Sequence, residues 1–310
     1  MKILLIGTGA IGCFFGGKIA KLGHDITFLS RANSYNSIKE NGIEIKSDIE
    51  TSFQTKVNII NALSPNAKFD LVIIATKSYD VKPLVDKLPD TLISSSYFVT
   101  IQNGVSSEDI LLQKIEPTRL IPASAFIGII KTEANIVYHS AGGRLQFGSY
   151  VGGPCIGVLD EFLNLLKTSN IDAHFTESIM KMKWGKLVWN AAYNPLSTIT
   201  QLSLGDILST QYGVKLLKSS MLETANIAKK MGYELNEKFI EAQINLPKNL
   251  YPFKTSMLQD FLSGKPLEIE AILGDLLKKG VQTEVPTPTL SHFYSILQIL
   301  LDYRDKSNNP

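Results

Sequence analysis

The chain has little of what would take it out of a reducing, aqueous compartment. Only two of its 310 residues are cysteine, Cys13 and Cys155. Two thiols make no disulfide framework, and Cys13 falls inside a helical pattern where a small buried thiol is the plain reading. No apolar stretch approaches the roughly 20 residues of a membrane-spanning helix. The opening run Ile3-Leu4-Leu5-Ile6 is too short for a secretory leader and runs straight into glycines. These absences point to a cytoplasmic protein with no membrane partner. Neither sign of charge dominates: 31 Lys and Arg stand against 29 Asp and Glu, a net +2, so nothing calls for nucleic acid. Histidine is scarce too. His24, His139, His174 and His292 lie in no site motif and read as structural or surface residues, and no metal site is expected.

What is present is length and alternation. A chain of 310 residues exceeds what one core ordinarily serves, so two domains are expected. Residues 3–6, 25–29, 71–75 (LVIIA) and 97–102 (YFVTIQ) are short apolar runs separated by helical patterns. Runs that are apolar on both faces belong to a parallel sheet covered on both sides. Residues 121–148 are strand-like and glycine-rich, 160–166 helical, and 173–175 a last short strand. Beyond Thr176 only helical periodicity remains, at 181–192, 214–231, 267–279 and 290–303. The expected fold class is α/β: a Rossmann-type, doubly wound parallel sheet over residues 1–176, followed by an all-α domain over 177–310. The apolar face of the last helix (Phe293, Ile296, Leu297, Ile299, Leu300) packs either on its own domain or on a second copy of the chain, which leaves a homodimer open.

The first strand runs into Gly7-Thr8-Gly9-Ala10-Ile11-Gly12. A G-x-G-x-x-G run is weak by itself, but here it follows a buried strand and opens a helix, the context of a dinucleotide site. Gly7 makes the tight turn, Gly9 lets the backbone approach a pyrophosphate, and Gly12 lets helix and strand pack closely. The free N–H groups and partial positive charge of the helix N-terminus face the diphosphate. Gly16 and Gly17 read as packing glycines. The second strand ends Phe28-Leu29-Ser30-Arg31, with no carboxylate for a ribose 2′-hydroxyl. A carboxylate there would repel a 2′-phosphate, whereas Arg31 can pair with one through its planar fork. The cofactor expected is therefore NADP(H). Lys77 and Asn103 follow the next two strands at their carboxyl ends, the ligand side of such a sheet, although Asn103-Gly104 is also ordinary turn chemistry.

The second domain opens with Lys183-Trp184-Gly185-Lys186-Leu187-Val188-Trp189-Asn190-Ala191-Ala192-Tyr193-Asn194. Lys186 and Asn190 are four apart and share a helix face, with Asn194 a turn further on. Such polar groups among bulky apolar residues need partners if buried. Either a ligand or solvent along a surface stripe would serve. Hydride delivery to a ketone creates an alkoxide that needs a proton, and a lysine ammonium both polarises the oxygen and donates. Ser256-Met257-Leu258-Gln259-Asp260 and Glu268-Ile269-Glu270 form a later polar cluster. Ser256 reads equally as a helix N-cap with Gln259 at capping-box spacing, and Glu268 as an acid favoured at a helix start.

Taken in order, G-T-G-A-I-G, the lysine after LVIIAT, Q-N-G, K-L-V-W-N-A-A-Y-N-P-L-S and S-M-L-Q-D followed by E-I-E resemble the ketopantoate reductase (2-dehydropantoate 2-reductase) family over essentially the whole chain. The resemblance implies NADPH-dependent reduction of 2-dehydropantoate to (R)-pantoate, a step of pantothenate and coenzyme A synthesis. It implies Lys186 as general acid and Glu268 as holder of the substrate hydroxyl. Asn190, Asn194 and Ser256 would bind the substrate's other polar groups, with Ser256 on the carboxylate. Asn103 would lie at the nicotinamide ribose and touch substrate, and Lys77 and Arg31 would lie at the adenosine 2′-phosphate. One position departs: some members carry asparagine three residues before the serine, where this chain has Phe253. An aromatic there favours a bulkier or more apolar substrate tail. The alternatives are a related reductase of another 2-keto acid and a non-catalytic NADPH sensor, and a sensor needs no proton donor such as Lys186.

Overall fold

The computed structural model describes residues 1–151, 156–245 and 250–308, so Cys155 lies outside the described residues. The chain falls into two compact units, Met1–Gln102 with Ser107–Ile179, and Asn103–Ser106 with Met180 onward.

Among its described residues the first unit is built on ten strands: β1 (Ile3–Ile6), β2 (Ile26–Leu29), β3 (Ile43–Ser47), β4 (Phe53–Thr55), β5 (Asn58–Ile60), β6 (Leu71–Ile74), β7 (Tyr97–Thr100), β8 (Leu120–Lys131), β9 (Ile136–Phe147) and β10 (Ala173–Phe175). Its helices are α1 (Ala10–Lys21), α2 (Ala32–Asn41), α3 (Val81–Val85), α4 (Asp90–Ser95), α5 (Ser106–Leu111) and α6 (Ile156–Thr168). The sheet order β5-β2-β1-β6-β7-β8 has every neighbouring pair parallel. This is the doubly wound order expected, with its switch point between β1 and β6, where ligands of such sheets bind.

The continuous apolar runs have a simple cause. Along β1 and β6, Ile3, Leu5, Leu71 and Ile73 enter one core with Phe14 and Phe28. Their alternates Leu4, Ile6, Val72 and Ile74 enter a second core with Val81, Leu92 and Phe98. Both faces are dry, so no polar alternation survives in the sequence. Beyond Pro122 the sheet changes character. The distal part of β8 leaves β7 and pairs antiparallel with β9, with irregularities at Phe126/Ile127 and Gly128/Ile129. Strand β9 pairs parallel with β3 and β10, and β3 antiparallel with β4. The parallel sheet thus continues into a mixed extension, within the stretch 121–148 whose sequence is strand-like and glycine-rich.

The second unit is helical among its described residues, with α7 (Ile179–Thr200), α8 (Leu204–Leu208), α9 (Gln211–Lys230), α10 (Glu237–Ile244), α11 (Ser256–Leu262), α12 (Asp275–Gln282) and α13 (Pro288–Asn308). A π-helical turn, Glu270–Gly274, leads directly into α12. Helix α8 is started by a reciprocal cap between Ser203 and Asp206. Helix α13 buries Leu290, Phe293 and Leu297 and leaves Ile299 exposed. Among the described residues no helix is long and apolar enough to cross a membrane.

Candidate active site

In the first unit the glycine loop occupies the carboxyl edge of β1. Gly7 has φ +107°, a value that L side chains rarely adopt, and a Cβ there would stand 2.8 Å from the Ala75 carbonyl carbon. A Cβ on Gly12 would stand 1.9 Å from the Gly7 carbonyl oxygen. At Gly9 the only atom within 4 Å would be the Ala75 oxygen, at 3.9 Å. Two of the three glycines therefore close the turn onto protein, and one leaves its space to something else. Helix α1 begins at Ala10 behind Gly9, with no side-chain cap and no acidic residue in its first turn. Its leading N–H groups are thus available to an anion, so the residues Gly7, Thr8, Gly9, Ala10, Ile11 and Gly12 fit a dinucleotide diphosphate. Gly16 is a packing glycine, since a Cβ there would meet Leu5 and Phe28 at 2.7 Å. Cys13 is buried in α1 beside the Thr8 carbonyl (3.4 Å), and burial pushes its thiol up to about 11. It stays protonated at neutral pH and is not a nucleophile.

Around this loop stand three cations. Arg31 is the N-cap residue of α2, mostly exposed, and its Nη2 lies 2.6 Å from Asp80 Oδ1. Lys77 opens a one-turn 3₁₀ helix, Ser78–Asp80, after β6. Lys131, at the end of β8, donates to the Thr8 carbonyl at 2.6 Å and to Ser34 Oγ at 2.8 Å. Thr8 Oγ1 and Ser30 Oγ share a buried bond of 2.7 Å that ties the glycine loop to the end of β2. Gln102 donates to the carbonyls of Ile74 (2.8 Å) and Thr76 (3.2 Å), holding the β6 exit where Lys77 sits. Neither Lys131 nor Asp80 was legible. They come from segments 123 and 49 residues away from the groups they hold, and no spacing rule spans such a gap.

In the second unit, Lys186, Asn190 and Asn194 lie along α7. Asn190 and Asn194 are 7% and 2% exposed. Among the described residues the Asn194 amide nitrogen is buried without a hydrogen-bond partner, at a cost of about 1–3 kcal/mol unless an acceptor reaches it. Pro195, next along the helix, removes one N–H and leaves the Ala191 carbonyl without its usual donor. A polar ligand beside this stretch would find both a donor and an acceptor. Burial, and after it the charge of the buried Lys183 one turn earlier, hold the Lys186 ammonium down to about 8 against the opposing pull of the Glu268 carboxylate. An acid of that strength is poised near neutral pH, as proton transfer requires.

Glu268 is buried just ahead of the π turn and accepts a hydrogen bond from Asn103 Nδ2 at 3.2 Å. Asn103-Gly104 is indeed a turn: Gly104 has φ +78° and sits so close to the π turn that a Cβ would lie 2.5 Å from the Ala271 oxygen. Turn and side chain thus serve one end, holding an amide against Glu268. π turns recur at functional sites because they displace a side chain from the regular helical row. Ser256 corrects one expectation. The N-cap of α11 is Thr255, whose hydroxyl accepts from the Leu258 N–H, while Ser256 is the first helical residue and is exposed. Its hydroxyl is therefore not spent on capping. Phe253, three residues earlier, is 39% exposed. The histidines are structural or peripheral where bonded: His139 is buried between Ser47 Oγ and the Gly142 carbonyl, and His174 is an exposed partner of Asp172. Among the described residues no cluster could hold a metal ion.

The family model described as Ketopantoate reductase PanE/ApbA matches residues 3–152, and its C-terminal counterpart matches residues 178–300. Over 303 residues the chain is 28% identical to a 2-dehydropantoate 2-reductase of Nostoc sp. (strain PCC 7120), spanning 96% of this chain and 95% of that protein. It is 34% identical, with a TM-score of 0.81, to the crystal structure of a 2-dehydropantoate 2-reductase from Methylococcus capsulatus, covering 98% of this chain and 97% of that one. A D-mandelate dehydrogenase solved with NADH and anilino(oxo)acetate shares the fold at a TM-score of 0.89 and 22% identity, over 98% and 99% of the two chains.

Proposed function

The chain belongs to the ketopantoate reductase family, and from that premise we propose that it reduces 2-dehydropantoate to (R)-pantoate with NADPH, for pantothenate and coenzyme A synthesis. The observation that carries this reading is Lys186, a desolvated ammonium held down to about 8 beside a buried carboxylate and two buried amides. The bound nicotinamide supplies the hydride. Lys186 Nζ donates to the ketone oxygen, polarising C2, and passes it a proton as the alkoxide develops. Glu268, steadied by Asn103, accepts from the substrate hydroxyl. Asn194 Nδ2 donates to a substrate oxygen that satisfies it, Asn190 lies one turn back on the same helix, and Ser256 takes the carboxylate. In the first unit the glycine loop and the start of α1 hold the diphosphate, with Lys77 and Arg31 at the 2′-phosphate.

Steady-state oxidation of NADPH with ketopantoate tests the reading directly, with (R)-pantoate as the expected product. A second reading rests on Phe253, exposed where an amide occurs in some relatives: the substrate is a 2-keto acid with a bulkier apolar tail. A panel of keto acids separates the two, and turnover of a bulky 2-keto acid with none of ketopantoate would overturn the first.

The acid's strength gives a pH test. Lys186 must be protonated to donate, so kcat for reduction should fall as pH rises through about 8. Lys183→Met removes a neighbouring positive charge that lowers the Lys186 pKa, and should move this falling limb to higher pH. Lys183→Arg keeps the charge and should leave the limb in place. If Lys183→Met shifts nothing, the limb belongs to another group.

A further inference from the structure

We infer that Asp80 sets the cofactor preference of this enzyme, its carboxylate restraining Arg31 and serving the 2′-hydroxyl of NADH, so that the chain uses both nicotinamide cofactors. The inference rests on the proposed placement of Arg31 at the adenosine ribose. The ion pair is short, 2.6 Å between Arg31 Nη2 and Asp80 Oδ1. Its two members differ in freedom. The Arg31 side chain is 77% exposed, whereas that of Asp80 is only 22% exposed. Asp80 closes the 3₁₀ turn with its N–H on the Lys77 carbonyl at 3.0 Å and stands directly before α3. The carboxylate is thus the fixed partner and the guanidinium the mobile one.

Strand β2 ends without an acid, and by itself that favours a 2′-phosphate. Asp80 restores a carboxylate to the same edge from the other side of β1, since β1 pairs with both β2 and β6. A 2′-phosphate must either displace Asp80 from Arg31 or sit beside it, and both oppose binding. A 2′-hydroxyl meets no such conflict, because Asp80 accepts from it while still paired with Arg31. The cations Lys77 and Lys131 keep phosphate binding feasible, so the outcome is weak discrimination rather than reversal.

The test is fluorescence titration of the full chain with NADPH and with NADH, for the parent, Asp80→Asn, Asp80→Ser and Arg31→Ala. Removing the carboxylate should tighten NADPH roughly tenfold, the scale of one screened charge interaction, and weaken NADH; unchanged NADH binding would overturn the role of Asp80 at the 2′-hydroxyl. The NADPH gain should shrink in high salt. Arg31→Ala should weaken NADPH and spare NADH. If Arg31→Ala weakens NADPH but both Asp80 variants keep the parental ratio, the role of Asp80 fails alone. If Arg31→Ala leaves NADPH unaffected, the placement of Arg31 fails and the role of Asp80 with it. Parallel changes in both cofactors would mark Asp80 as merely structural. The same ratios should appear in kcat/KM.

Discussion

Lys186→Ala is expected to lower kcat by roughly 10²- to 10⁴-fold, the usual contribution of a positioned general acid. The KM of the keto acid should change far less, because Asn190, Asn194 and Glu268 still hold it. Lys186→Arg should not rescue. A guanidinium keeps the positive charge, but its delocalised cation holds its proton too tightly to be a good donor. A small primary amine added to Lys186→Ala should restore part of the rate. The loss would not reflect unfolding. The folded-state pKa of Lys186, about 8, lies below its ordinary 10.5, so folding disfavours its charged form. That penalty is complete below about pH 8 and is relieved as pH rises towards 10.5, where the unfolded chain would still hold the proton. Alanine removes the penalty, so the unfolding midpoint at neutral pH should hold or rise. Near-normal kcat in Lys186→Ala would take this residue out of the chemistry.

The legible parts of the molecule are those whose signals are local. Strands β1, β6 and β7 read as unbroken apolar runs because their alternate residues enter two separate cores. The Lys186–Asn190 pair follows from the helical repeat alone. What was not legible is short, polar or distant. Strands β4 and β5 have three residues each, and α2 (ANSYNSIKEN) shows almost no apolar face. Strand β3 does alternate, with Ile43 and Ile45 buried, yet five residues give little pattern. The cap of α11 falls on Thr255 rather than Ser256 because both carry hydroxyls. Only backbone geometry decides between them, and Thr255 is the extended residue (φ −62°, ψ 157°). The contacts that join candidate residues within each unit cross long gaps: Arg31 to Asp80 and Thr8 to Lys131 in the first, and Asn103 to Glu268, 165 residues apart, in the second. Strand crossovers and the folding of helix on helix make these meetings, and no spacing in one chain encodes them. The absence of an acid after β2 is the instructive case. It is correct as a local observation, yet the fold brings Asp80 back to the same charge.

Gly12→Ala should weaken cofactor binding severely and destabilise the first unit together. The added Cβ would lie 1.9 Å from the Gly7 carbonyl oxygen and 3.1 Å from Leu5 Cδ2. The oxygen is backbone, and Gly7 is itself locked at φ +107° against Ala75 and Thr76, so neither side can rotate away. The first turn of α1 must lift from β1, carrying with it the N–H groups that face the diphosphate. Overpacking of this kind costs about 1–3 kcal/mol or more, enough to lower the unfolding midpoint by several degrees, at roughly 2–4 °C per kcal/mol for domains of 150–250 residues. Cofactor affinity should fall at least about a hundredfold, an amount worth about 2.8 kcal/mol. Gly9→Ala separates the two effects. Its Cβ would find only the Ala75 oxygen, at 3.9 Å, within 4 Å, so the unfolding midpoint without cofactor should stay close to that of the parent. Affinity should still fall, because the methyl group would occupy the space left for the pyrophosphate. Parental affinity in Gly9→Ala would mean that the diphosphate approaches the loop elsewhere. Parental stability in Gly12→Ala would mean that α1 can shift on β1 without disturbing the core below it.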